Sequence, residues 1–144
     1  MQLNFEKFNF QIKSDNNGKN EIYDLVRKKY VPLTPEEWVR QHTLHQLIKN
    51  GFAAGRMSIE KTLPNSKKRY DIIYYSREGT PELLVECKAP SVAITQKTIN
   101  QVAGYITFQN VEKILLTNGL SHFYIERGEN GLDILNEFPL FTLK

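Results

Sequence analysis

The chain has 144 residues, 40% hydrophobic and 24% charged, which suits one domain able to bury roughly 70% of its unfolded surface without disulfide or metal staples. Its net charge of +3 permits an anionic partner but falls far short of the basicity that identifies a nucleic-acid binder by composition. Its lone cysteine, Cys87, excludes an intrachain disulfide and a cysteine-rich zinc site; no stretch nears the roughly 18 apolar residues of a membrane span. Met1 to Phe10 also lacks the apolar run of a secretory signal, so a soluble cytoplasmic protein with no membrane partner is expected. A single domain over residues 1–144 is expected, with a core at about 22–127, short terminal extensions and no room for a motor.

In chain order, Phe8, Phe10 and Ile12 alternate with polar residues and predict a short strand, which Ser14 to Asn20 ends as a loop. Ile22 to Val31 reads either as a strand or as a short helix, and carries the basic cluster Arg27, Lys28 and Lys29. The clearest helix follows, with Thr34 as N-cap, Pro35 in the first turn and Asn50-Gly51 as the stop. Val39, Thr43, Leu44, Leu47 and Ile48 form its apolar stripe. The period then changes to two: Met57 to Thr62, Arg69 to Tyr75 and Glu82 to Lys88 predict an antiparallel meander joined by short turns. Thr95 is placed to cap a second helix ending near Gln109, and Lys113 to Gly119 and His122 to Arg127 predict two more strands. The expected fold class is α/β (α+β), with a mixed central sheet flanked by helices in the order αβββαβ.

The third meander strand, LLVECKAP, carries the chemistry. Alternation puts Glu86 and Lys88 on one face and Val85 and Cys87 on the other. Asp71 is likewise a lone charge within RYDIIYY. Unpaired charges buried in such strands cost several kcal/mol, so they are kept where they are paired, bind a metal, or lie on a solvated face. Spacing leaves these alternatives open.

The arrangement of one Asp on a strand, Glu-x-Lys on the next and a Glu-bearing capped helix before them resembles the core of the PD-(D/E)xK nuclease superfamily. TPEEWVRQ, RYDIIYY, LLVECKAP, NQVAGY and LLTNG, in that order, resemble the N-terminal nuclease domain of type I restriction enzyme R subunits. The resemblance runs from about Ile22 to Arg127, with one departure: Tyr70, not Pro, precedes Asp71. It implies a restriction-endonuclease-like fold and a Mg²⁺-dependent DNA endonuclease, with Mn²⁺ as a substitute ion. DNA is the implied partner, met either by a homodimer or with a separate translocase or specificity subunit. No G-x-x-x-x-G-K-[ST] string occurs, so no ATP site is expected. The alternative is a nuclease-fold module that binds nucleic acid or protein without cleaving.

By the same resemblance Asp71 and Glu86 are metal ligands, the Cys87 carbonyl is a further one, and Lys88 holds the attacking water and stabilises charge on the phosphate. Glu37 is a catalytic residue reaching the metal directly or through water; as N3 of Thr34-Pro35-Glu36-Glu37 it equally suits a capping box. Glu36 is expected to face solvent and favour the helix dipole. Gln101 and Tyr105, four residues apart on the second helix, either border the site, with Gln101 orienting Lys88 or contacting a phosphate and Tyr105 contacting nucleic acid, or belong to an ordinary amphipathic helix with Tyr105 half-buried. The Cys87 thiol reads as a buried hydrophobe. Lys67, Lys68 and Arg69 form a basic turn placed either to hold the DNA backbone or to keep a hairpin tip soluble. Glu60 is an acidic neighbour or a solvated strand residue, and His42 with His45 makes a poor zinc site.

Overall fold

The computed structural model describes residues 2–64 and 66–141. A small antiparallel sheet comes first, ordered β1 (Ile12–Ser14), β2 (Asn20–Asp24) and β3 (Lys29–Pro32). Helix α1 (Pro35–Lys49) follows, then a 3-10 turn at Ala54–Arg56. The main sheet runs β4 (Met57–Thr62), β5 (Arg69–Tyr75), β6 (Pro81–Cys87), β7 (Lys113–Thr117), β8 (His122–Gly128) and β9 (Gly131–Leu135) in that spatial order. Helix α2 (Gln96–Gln109) connects β6 to β7, the only parallel pair among the described strands. That parallel step needs a crossover, and α2 supplies it.

Helix α1 starts where local chemistry dictates: the Thr34 hydroxyl accepts the Glu37 N–H at 3.0 Å and Pro35 occupies the first turn. Thr95 caps α2 in the same way, accepting from the Thr98 N–H. The two helices cover opposite faces of the sheet. Val39, Leu44 and Leu47 of α1 pack on Ile72, Tyr74, Val85, Cys87 and Leu115, while Ile99, Val102 and Ile106 of α2 pack on Ile73, Leu84, Ile114 and Leu116. Strands β5 to β7 are therefore apolar on both sides, as their sequence indicated.

Several expectations change. Ile22 to Val31 is neither one strand nor a helix; it belongs to the β2–β3 hairpin, whose turn is held by Asp24 accepting from the Val26 and Arg27 N–H groups at 2.8 Å each. Phe8 and Phe10 lie outside any strand; their rings pack against His45, and that of Phe10 also meets Trp38 and His42. β9 has no counterpart in the expected elements. Residues outside 22–127 also enter the core, since Leu3 is buried and Phe5, Phe138 and Phe141 pack against it. Gly119, at φ +87, permits this: a Cβ there would lie 3.0 Å from the Leu3 methyls and 3.1 Å from Val39. Asn65, in the expected β4–β5 turn, lies outside the described residues, as do residues 1 and 142–144.

Candidate active site

The main sheet opens at Asp71. Its β4 neighbours pair at Ile59↔Ile72 and Lys61↔Tyr70, and between them Glu60 takes a left-handed φ of 54°. On the other side the β5–β6 ladder ends at Ile72↔Val85. Instead of a ladder bond, the Asp71 carboxylate accepts the Cys87 N–H at 2.8 Å. Extended backbone places the N–H and C=O of one residue on the same edge, so the Cys87 carbonyl also faces the β5 side. The next residue faces the other way, with the Lys88 N–H donating to Thr117 O at 2.8 Å.

Glu86 follows Leu84 on the α2 face. It is only 5% exposed; Oε2 accepts from Lys68 Nζ at 3.0 Å, and Oε1 is buried without a hydrogen-bond partner among the described residues. Burial raises its pKa above the ordinary carboxylate range, and the nearby Asp71 charge raises it further. Asp71 is also raised by burial, against the opposing pull of the Cys87 N–H and Arg40. Lys88 is half-buried and forms no ion pair within 4 Å among the described residues.

The first helix contributes differently from expectation. Glu36 is exposed, as expected, but it is near enough to Asp71 and Lys88 to feel both charges, and its pKa is raised by partial burial and then by the Asp71 charge. Glu37 is buried. Its N–H completes the Thr34 cap, but its carboxylate accepts from Arg27 at 3.0 Å and Gln41 at 3.0 Å, with Arg40 Nε at 3.5 Å. It is joined to Asp71 through Arg40, whose Nη2 lies 3.1 Å from Glu60 and 3.4 Å from Asp71. Sequence reading missed Arg40, Arg27 and Gln41. The available signal was Arg40 itself, a charge three and four residues after Glu37 and Glu36, and thus on their side of the helix.

Five carboxylates, Asp24, Glu37, Glu60, Asp71 and Glu86, are thereby ion-paired with three cations, Arg27, Arg40 and Lys68, while Glu36 and Lys88 lie nearby without an ion pair among the described residues. The unbalanced negative charge and the orphaned Glu86 Oε1 suit a divalent cation. Among the described residues no three His, Cys, Asp or Glu side chains form a ready metal cluster. Two carboxylates with a carbonyl remain an adequate donor set for Mg²⁺, which keeps several of its waters.

Lys68 reaches the site, with its ammonium over the rings of Tyr70 and Tyr105 at 5.4 and 5.6 Å. Tyr105 is therefore beside Glu86's partner, whereas Gln101 is exposed and Lys67 and Arg69 point outward. The Cys87 thiol is buried beside Thr43, and burial pushes its pKa well up. His42 and His45 sit among aromatic rings, with His42 Nδ1 2.8 Å from Trp38 O, and burial lowers the pKa of both.

A mixed sheet with a three-strand antiparallel meander, a helix on each face and an acidic opening on its second strand is a restriction-endonuclease-like fold. The family model for the type I restriction enzyme R protein N terminus (HSDR_N) matches residues 35–139, and the chain belongs to that family. Among solved structures it is similar to a fragment of an HsdR subunit of a type I restriction enzyme from Vibrio vulnificus YJ016, at 17% identity and a TM-score of 0.57. That match covers 75% of this chain and 24% of the other. It is also similar to the type IIG restriction endonuclease BpuSI, at 17% identity and a TM-score of 0.50, over 71% of this chain and 13% of that one. The chain thus spans a quarter or less of either protein. No curated protein matches the sequence. No described helix is long and apolar enough to cross a membrane.

Proposed function

We propose that this chain is a PD-(D/E)xK nuclease that hydrolyses DNA phosphodiester bonds with Mg²⁺ as part of a restriction system. The observation that carries this reading is the opened sheet at Asp71. There a buried carboxylate with an unpartnered oxygen, Glu86, stands beside Asp71 and the Cys87 carbonyl, with Lys88 next along the strand. Asp71, Glu86 and the Cys87 carbonyl would hold the ion, and Glu36, at Asp71, is a better placed additional acid than Glu37. When bound, Mg²⁺ supplies Lewis-acid activation of water and charge neutralisation at the phosphate.

The chain's own residues do the rest. Asp71 is fixed in place by the Cys87 N–H and Arg40. Among the described residues Lys88 Nζ has no carboxylate partner within 4 Å to leave, so its charge is available to the attacking water and to the phosphoryl oxygens as negative charge develops. Lys67, on the same connection as Lys68, and Arg69, the first residue of β5, are both exposed and would meet the DNA backbone. Cleaving both strands would need a second copy of the chain or a partner subunit.

One observation favours a second reading: Arg40 and Lys68 already stand on Asp71 and Glu86, as in a nuclease-fold module that binds without cleaving. Mn²⁺ binding followed by electron paramagnetic resonance, run beside hydrolysis of a fluorophore-quencher DNA duplex, separates the two. The nuclease reading expects a Mn²⁺ site that is lost in Asp71→Asn and Glu86→Gln together with hydrolysis. DNA binding with neither Mn²⁺ uptake nor hydrolysis would establish the module instead.

A further inference from the structure

Lys68 is chemically out of place for a hairpin-tip lysine. Its ammonium donates to Glu86 Oε2 at 3.0 Å and to its neighbour Arg69 O at 3.1 Å, over the Tyr70 and Tyr105 rings. It therefore puts a positive charge on one of the two carboxylates that would bind the metal. Its side chain is 33% exposed, against 7% for Glu86, so the lysine can leave towards solvent while the glutamate stays. The Lys88 ammonium, the expected catalytic cation, is not used in this way among the described residues.

Building on the nuclease reading above, we propose that Lys68 is an exchangeable counter-ion. It holds Glu86 in the metal-free protein, is displaced when a divalent cation binds, and on release takes up a phosphate of the DNA next to the site. Lysine suits the exchange because its compact ammonium on a four-carbon stem has no fixed fork geometry to rebuild. The two tyrosine rings provide a cation-stabilising shelf along the way. Metal binding and DNA binding then reinforce each other, because each removes Lys68 from the competing position. Arg40, 6% exposed and shared among Glu37, Glu60 and Asp71, stays as the fixed counter-ion of the site.

The test uses the full chain and compares Lys68→Met with Lys67→Met, which removes the same charge from the adjacent exposed position. Mn²⁺ affinity without DNA is expected to rise about two- to fivefold in Lys68→Met, the factor equivalent to a partly exposed ion pair, and to change less in Lys67→Met. In a Lys88→Ala background, which blocks turnover, adding Lys68→Met is expected to shrink the Mg²⁺-dependent gain in DNA affinity and to reduce the salt slope by about one. Lys68→Gln is expected to repeat both shifts, which separates the effect from any misfolding of the Met variant. Equal Mn²⁺ shifts in Lys67→Met and Lys68→Met, or an unchanged Mg²⁺-dependent DNA gain, would overturn the exchange while leaving the nuclease reading intact. Absence of Mn²⁺ binding in the wild type would overturn both.

Discussion

Replacing Glu86 with Gln is expected to stabilise the metal-free protein while removing its response to Mg²⁺. Glu86 is 5% exposed and its Oε1 lacks a partner among the described residues; Gln keeps a polar atom there but removes the charge, whose burial costs more than the about 1 to 3 kcal/mol of a neutral unpartnered group. The substitution forfeits the ion pair to a partly exposed Lys68, worth about 1 kcal/mol at most. The balance is a gain of about 1 to 2 kcal/mol, which for a domain of this size is a rise of about 3 to 8 °C in Tm. Thermal unfolding followed by calorimetry in EDTA near neutral pH reads it directly. With Mg²⁺ at a hundredfold excess over its Kd the wild type should gain about 2.7 kcal/mol and overtake the variant, which should not respond. A lower Tm for Glu86→Gln than for wild type in EDTA would refute the reasoning, because it would make the charge a structural ion-pair partner.

The two adjacent glutamates of α1 are expected to separate by assay. Glu37→Gln breaks a buried network with Arg27 and Arg40 and should cost about 3 kcal/mol of stability, whereas Glu36→Gln should leave Tm nearly unchanged and slow DNA hydrolysis. Unfolding curves and rates on the same preparations check this, and a large stability loss in Glu36→Gln would contradict it. The pH dependence of metal-free stability also has a definite sign. Asp71 and Glu86 have raised folded pKa values, mainly from burial, so between the ordinary carboxylate range and those raised values the folded state holds more protons and stability falls as pH rises. Asp24 is lowered: burial opposes this, but bonds from Arg27 and Gln41 outweigh it, so its contribution is present above the ordinary Asp pKa and lost as pH falls through the folded value. His42, His45 and His122 act in the opposite sense, since burial lowers their pKa values and stability then rises with pH towards the ordinary His range. The carboxylate effect is therefore read as the difference in metal-free Tm between Glu86→Gln and wild type across a pH series, which is expected to widen as pH rises; a difference that narrows would show the sign to be wrong.

What the sequence made legible was whatever local chemistry determines. Thr34-Pro35 and Asn50-Gly51 delimit α1 by capping alone, and Asp71 and Glu86 stand out because a charge within an apolar strand needs a partner. The β2–β3 hairpin was hidden because its turn contains neither Gly nor Pro: the left-handed residue is Lys28, at φ 56°, and the turn is held by the Asp24 side chain. β9 was hidden because all of Gly131–Leu135 is exposed, and an unburied edge strand shows no inward and outward alternation.

The acids of α1 illustrate a different limit. Glu36 and Glu37 differ by about 100° around the helix, and which of them meets Asp71 depends on how α1 is rotated against the sheet. That rotation is set by remote contacts, Arg27 from the hairpin and Glu60 from β4, rather than by TPEEWVRQ itself. The same holds for Arg40, whose burial is explained by three carboxylates from three elements. From the sequence Lys68 belongs to a basic turn; its placement on Glu86 depends on the fold of that connection over Tyr70 and Tyr105.

Incubation of supercoiled plasmid with Mg²⁺ and either the wild type or Lys88→Ala tests most directly whether Asp71, Glu86 and Lys88 form a hydrolytic site. The wild type is expected to nick or linearise the plasmid, and Lys88→Ala to bind it with a cleavage rate lower by about a hundredfold or more. An intact plasmid in both reactions, with DNA still bound, would contradict the account.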